Sequence, residues 1–343
     1  MRMRFTNLVL GGGAAKCTAY LGFFDAAPEI EAVNIVGVSA GAIVAYVLAL
    51  GMPRTAALDV ISRHGARPWD LDIGCLLDSF GMADNKASTF ALVDELTRTW
   101  WWDAMMLGEC GEHDVPPRTF LELGKRTGKN LVVPAVDVDA MRTVFFSMDT
   151  HPDLDVRLAI AASCAVPFLF SPVVIDGRRF VDGCLLQSTP LEALPPSLAA
   201  ETLVLQVFAR NHEAGKPGEA GACPPAASEE SIFSYGKRVV AAFMNRETNK
   251  NTDDAVYYSI TVSTDSIGEM LLDGISADSV YNIFMQGVAA GKHFLKTYKH
   301  VHAVPAAGVR GGSSHRGRHV PPPRPRARAK RPARHKGGDA GVV

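Results

Sequence analysis

Residues 34–53 constrain the fold more than any other part of the chain. Asn34-Ile35-Val36 reads as a short apolar strand, Gly37-Val38-Ser39-Ala40-Gly41 as a tight turn, and Ala42 to Leu50 as an apolar helix. Gly51 suits the end of that helix, and Pro53 blocks its continuation. A strand, a G-x-S-x-G turn and a helix together are the context of a nucleophile elbow, which lifts a serine hydroxyl above the edge of a sheet. Gly37 and Gly41 suit it because the turn is strained and neighbouring backbone passes close by. Ser39 then stands at a helix N-terminus, where the dipole and free N–H groups favour developing negative charge. The pentapeptide alone also describes an ordinary Gly-rich turn with a surface serine, so two further segments matter.

Leu8-Val9-Leu10 is a short strand that runs into Gly11-Gly12-Gly13-Ala14-Ala15-Lys16. A Gly-rich turn after a strand can aim several backbone N–H groups at one spot. It is no dinucleotide fingerprint, because Lys16 stands where the third glycine of G-x-G-x-x-G falls, and it lacks the G-K-[ST] ending of a P-loop. An oxyanion hole for acyl transfer needs the same converging donors and no nucleotide. The third segment is Phe180-Val181-Asp182-Gly183. Asp176-Gly177 between two apolar runs predicts a two-residue hairpin. Asp182 ends its second strand beside a glycine, where a carboxylate can reach into a site. The alternative is a turn with a solvated carboxylate.

In order and spacing these segments resemble the patatin-like phospholipase family, whose pattern is a Gly-rich oxyanion loop, a G-x-S-x-G nucleophile and a D-G-[GA] base. Further similar text lies at Thr119 to Leu123, Asn130 to Asp139, Ala162 to Pro167 with Phe170, and Leu185 to Leu191 with Pro190. The resemblance is dense over 6–52 and 118–208, fainter over 255–298 and thin over 54–117. It implies Ser39 as nucleophile, Asp182 as its base in a dyad without His, and Gly11, Gly12, Gly13 and Ala14 as the oxyanion loop. Gly37 and Gly41 frame the elbow and Gly183 follows the base. No cofactor or metal is implied. The implied substrate is a lipid acyl ester such as a phospholipid or acylglycerol. Two departures stand out. Either register of the Gly-rich loop loses one glycine of G-G-G-x-[KR]-G, with Lys16 displaced from the basic position or standing on the last glycine. Cys184 takes the place of the Gly or Ala after Asp182-Gly183.

Rival readings remain open at this level. Ser, acid and then His is the order of an α/β-hydrolase triad, and His212 and His293 both follow Asp182. A lipid-binding or scaffolding pseudoenzyme with an altered oxyanion loop is a third reading.

Composition suits a soluble globular protein: the chain is 47% hydrophobic and 21% charged, enough to bury a sizeable core over 343 residues. The expected fold is α/β, a central and mostly parallel sheet flanked by helices. The acyl hydrolase domain is expected over 1–304, with 54–117 as a variable insert or cap and 211–230 as a surface loop. Helices are expected at 231–247 and 276–298 and a buried strand at 202–208. Six cysteines without a C-x-x-C pair suit buried thiols in a reducing compartment. Met1 to Phe5 leads into a strand instead of a long apolar segment, and no stretch reaches a membrane span, so an intracellular protein, soluble or peripherally membrane-associated, is expected.

The formal net charge of −1 hides an asymmetry. Residues 305–343 hold ten Lys or Arg and one acid, leaving 25 basic against 35 acidic residues elsewhere. This Pro- and Arg-rich tail is expected to be disordered; it suits anionic lipid, nucleic acid or a nuclear address, and a solubilising role stands equally beside these. Trp100-Trp101-Trp102 cannot share one helix face, since neighbours point about 100° apart. Trp favours membrane interfaces, so a lipid-facing cap stands beside core packing as its reading.

Overall fold

The computed structural model describes residues 5–65, 85–109, 115–210, 255–263 and 276–301. The expected loop at 211–230, the helix at 231–247, His212 and the basic segment 305–343 lie outside the described residues.

Eight described strands form one mixed sheet. They are β1 (Asn7–Leu10), β2 (Asn34–Gly37), β3 (Asn130–Asp137), β4 (Arg142–Phe146), β5 (Val173–Ile175), β6 (Arg178–Asp182), β7 (Thr202–Arg210) and β8 (Val256–Ser263). The order is β5-β6-β3-β2-β1-β7-β8, with β4 also pairing β3. Pairs from β3 through β2, β1 and β7 to β8 are parallel, while β4, β5 and β6 join antiparallel. Asp176 and Gly177 both adopt positive φ, 49° and 76°, as a two-residue hairpin between β5 and β6 requires.

The helices are α1 (Thr18–Ala26), α2 (Ala40–Leu50), α3 (Arg54–Gly65), α4 (Lys86–Met106), α5 (Phe120–Thr127), α6 (Val156–Ser163) and α7 (Ala277–Val301). Strand alternation sorts the core. Leu8, Leu10, Ile35, Leu131, Val133, Leu203 and Leu205 join the large cluster under the helices. Val9, Val36, Val132 and Val204 face the other way into a smaller cluster with Leu194. A one-residue slip would exchange the two faces. The side chain of Asn34 donates to Asn7 at 2.9 Å and that of Asn130 donates to Asn34 at 3.3 Å, which adds a polar ladder to the register of β1, β2 and β3.

Almost every residue of α2 is buried, which explains why its sequence is apolar all round. Its end is capped as expected, with Gly51 at φ 72° and the Met52 N–H bonded to the Val47 carbonyl. A capping box of Thr119 and Glu122 opens α5, worth about 1 kcal/mol for the cap alone. The region that resembles the family least contributes α3 and α4. Both pack on the core through Leu58, Val60, Leu92, Val93 and Leu96. Tyr46 of α2 meets Thr97 of α4 at 2.6 Å, and Arg157 of α6 pairs with Asp94 of α4 at 2.9 Å. Helices α1 and α7 cross so closely that a Cβ on Gly22 would lie 1.9 Å from the Phe284 carbonyl oxygen, and one on Gly287 2.0 Å from that of Ala19. Among the described residues, no helix is long and apolar enough to cross a membrane.

Candidate active site

Strand β3 brings the site together. Its first residues, Asn130 to Val132, pair with β2, and Ala135 to Asp137 pair with β6. Ser39 follows the end of β2 and Asp182 is the last residue of β6, so both arrive beside the middle of β3. The Ser39 hydroxyl donates to Asp182 Oδ2 at 2.7 Å. Asp182 Oδ1 accepts from the Cys184 N–H at 2.8 Å. Both side chains are buried. Removal from water pushes the Asp182 carboxyl up to about 6, while the bonds from Ser39 and Cys184 pull the other way.

Ser39 has φ 54° and ψ −134°, a conformation rarely populated by a non-glycine residue and costing on the order of 1–3 kcal/mol. The elbow is held from three sides. The Gly41 N–H donates to the Val38 carbonyl at 2.9 Å, and the Ala42 N–H to the Ser39 carbonyl at 2.8 Å. The Ser39 N–H donates to Ser163 Oγ at 2.9 Å, and the Ser163 hydroxyl donates to the Pro134 carbonyl of β3 at 2.6 Å. The glycines are steric necessities. A Cβ on Gly37 would lie 2.4 Å from the Gly41 carbonyl oxygen, and one on Gly183 would lie 2.6 Å from both the Pro134 oxygen and Val38 Cγ2.

The Gly-rich loop lies against this pair, since a Cβ on Gly12 would fall 3.2 Å from the Ser39 Cβ. Its four expected members are not equivalent. The Gly11 N–H donates to the Leu205 carbonyl at 3.0 Å, and the Gly12 N–H to the Ser188 carbonyl at 3.3 Å. Gly11 thus extends the β1–β7 ladder, and the N–H groups of Gly11 and Gly12 are both engaged within the fold. Among the described residues, the Gly13 and Ala14 N–H groups have no hydrogen-bond partner. Ala14, at φ 49°, starts a short 3-10 turn that reaches Cys17. Tyr20 anchors the loop from below, its buried hydroxyl lying 3.1 Å from the Gly11 carbonyl oxygen and 3.2 Å from that of Leu205.

Cys184, on the residue type where the chain departs from the family, packs between Asp182 and Gly12, with Sγ 2.2 Å from where a Gly12 Cβ would stand. The described cysteines, Cys17, Cys164 and Cys184, are free thiols, and burial pushes Cys17 up to about 12.

His293 is not brought to the pair. It lies on α7 with Nδ1 3.2 Å from the Tyr258 hydroxyl, and among the described residues no histidine bonds Ser39 or Asp182. The tryptophans are also elsewhere. Asn85, just before α4, donates to the Ala161 carbonyl near Ser163, and Trp102 follows 17 residues later, about 25 Å along the helix. Arg126, near the β3 end that points away from Ser39, lies over Trp101 at 5.2 Å. Trp100 packs on the core and Trp102 is 63% exposed. Trp100 to Trp102 therefore do not cap the Ser39–Asp182 pair.

Ser163 is the residue whose part the motifs did not disclose. The text from Ala162 to Pro167 matches the family, but nothing local links it to residue 39.

A model of the patatin-like phospholipase family matches residues 8–195, and the chain belongs to that family. A probable lipid hydrolase, 463L, of Invertebrate iridescent virus 6 is 23% identical over 191 residues, covering 55% of this chain and 62% of the viral one. A patatin-like phospholipase domain-containing protein of Chaetomium globosum is 28% identical over 214 residues, covering 55% of this chain and 23% of its own length. This chain thus spans less than two-thirds of these relatives. Among solved structures, VipD from Legionella pneumophila aligns with a TM-score of 0.46 and 18% identity, covering 86% of this chain and 67% of its own. The type III effector protein ExoU aligns with a TM-score of 0.40 and 16% identity, covering 85% and 53%.

Proposed function

We propose that this chain hydrolyses lipid acyl esters through a covalent acyl-Ser39, with Asp182 as the only general base. The observation that carries the reading is the 2.7 Å bond between two buried side chains at the end of the sheet. A carboxylate near its ordinary pKa of about 4 is a poor base, and burial of Asp182 raises its basicity toward the working range.

As Ser39 Oγ attacks the ester carbonyl carbon, its proton passes to Asp182 Oδ2. The resulting oxyanion is held by the Gly13 and Ala14 N–H groups, with the N-terminus of α2 adding its dipole. The C–O bond to the leaving alcohol breaks as Asp182 returns the proton to the alkoxide. Asp182 then takes a proton from water, whose oxygen attacks the acyl-serine, and Ser39 leaves reprotonated. The Ser39 N–H is bonded to Ser163 and takes no part in the hole.

A fluorophosphonate probe tests the reading. One label on Ser39, lost in a folded Ser39→Ala variant together with turnover of a lipid ester, is the expected result. Labelling or turnover that survives the substitution refutes it. An inert wild type leaves the scaffolding role.

A further inference from the structure

One segment buttresses both members of the pair and then displays an aromatic ring. Ser163 accepts the Ser39 N–H, and two residues later the Ala165 carbonyl accepts the Asp182 N–H at 2.9 Å. The chain next makes a turn, in which the Leu169 and Phe170 N–H groups donate to the Val166 carbonyl at 3.1 and 2.9 Å. Pro167 occupies the first central position of that turn and Phe168 the second. Phe168 has φ 66°. Turns with Pro followed by a residue at positive φ favour Gly there, because a side chain clashes with its own backbone. A bulky aromatic in that place is an outlier.

Phe168 is 48% exposed, so burial of its ring offsets the strain only in part. It lies three residues from Ala165, no more than about 11 Å of chain from the contact with Asp182. Leu186, four residues past Asp182, is another exposed apolar side chain close to it in the chain, at 41%. Strain at a half-exposed aromatic, a few residues along the chain from a contact with Asp182, points to a functional contact.

We infer that Phe168 contacts the acyl chain of the ester bound at Ser39 and sets a preference for long chains. The inference rests on the acyl-hydrolase reading above. Its ligand chemistry is a saturated alkyl chain, which an exposed phenyl ring can cover without hydrogen bonds.

The test compares p-nitrophenyl butyrate and p-nitrophenyl decanoate, each kept below the concentration at which it forms micelles, on wild type, Phe168→Gly and Phe168→Leu. Phe168→Gly should lower kcat/KM for decanoate roughly tenfold or more, as loss of a buried phenyl contact does, and leave butyrate within about twofold. It should also keep or raise Tm, since Gly relieves the turn. Phe168→Leu should retain part of the preference. An unchanged decanoate-to-butyrate ratio overturns the inference, as does a large fall in Tm, which would make Phe168 a packing residue. A loss seen only on phosphatidylcholine vesicles, with the monomeric ratio intact, also overturns it and assigns the ring to the bilayer surface. Ser39→Ala, run alongside, separates failure of the underlying reading: turnover that survives it refutes the dyad whatever Phe168 does.

Discussion

The hydroxyl of Ser39 and the carboxylate of Asp182 are 143 residues apart in the chain and 2.7 Å apart in space. The carboxylate's other oxygen is bonded to the Cys184 N–H, so Oδ2 is the one aimed at the hydroxyl. On the proposed mechanism, Asp182→Asn removes the base and keeps the shape. Turnover should fall about a hundredfold or more. His293→Ala should be near neutral, since His293 meets Tyr258 and not the pair. Steady-state kinetics on one ester separate the cases, and a large loss in His293→Ala would revive the triad.

The same carboxylate sets a pH dependence. A base with a pKa of about 6 must be ionised to act, so kcat/KM should fall tenfold per pH unit below that value and level off above it. The stability effect has the opposite sense. The folded value lies above the unfolded one, near 4, so the folded state holds the extra proton between about pH 4 and pH 6. The favourable contribution is full below pH 4 and lost as pH rises through 6, a change on the order of 3 kcal/mol. Asp182→Asn should therefore be more stable than wild type at pH 7 and similar to it at pH 4. Urea unfolding at the two pH values measures this, and an equal offset at both contradicts a buried, costly charge.

Ser163 offers a test of how the elbow is held. Ser163→Ala leaves the Ser39 N–H and the Pro134 carbonyl without their present partner, and each buried unpaired group costs about 1–3 kcal/mol. We expect a loss of at least about 2 kcal/mol in urea unfolding. The fluorophosphonate inactivation rate should also fall, even at a temperature where the variant is fully folded. An unchanged rate would mean the elbow holds without Ser163.

Local signals were legible in the sequence and long-range ones were not. Gly37, Gly41 and the Asp176-Gly177 hairpin are stretches whose backbone demands only certain residues, so the strands, the turn after β2 and the hairpin could be read locally, while pairing Ser39 with Asp182 rested on the family resemblance. Which N–H groups of the Gly-rich loop are free could not, because that depends on the carbonyls of Leu205 and Ser188. Ser163 was hidden for the same reason, its partner lying 124 residues away. The Trp run gave a correct statement about faces, with Trp100 packed inward and Trp102 exposed. Its distance from the Ser39–Asp182 pair depends on the direction of α4, which the segment itself does not encode.

Gly12 and Gly41 make a matched pair for the last prediction, because an added methyl meets different obstacles at each. At Gly41 the new Cβ would lie 2.5 Å from the Gly11 carbonyl oxygen and 2.8 Å from that of Leu10, both backbone atoms of β1 and its loop. Neither can move without shifting the strand. At Gly12 the nearest atom, 2.2 Å away, is Cys184 Sγ, the end of a side chain that another substitution can remove. Overpacking of this kind costs about 1–3 kcal/mol, so both alanine variants should lose stability in urea unfolding. In a Cys184→Ala background the Gly12→Ala loss should shrink by half or more, while the Gly41→Ala loss should stay within about 0.5 kcal/mol of its original value. Some of the Gly12 cost should remain, because the Ser39 Cβ stands 3.2 Å from the same point. Equal rescue at both sites would show that Cys184 does not separate the loop from the Asp182 turn.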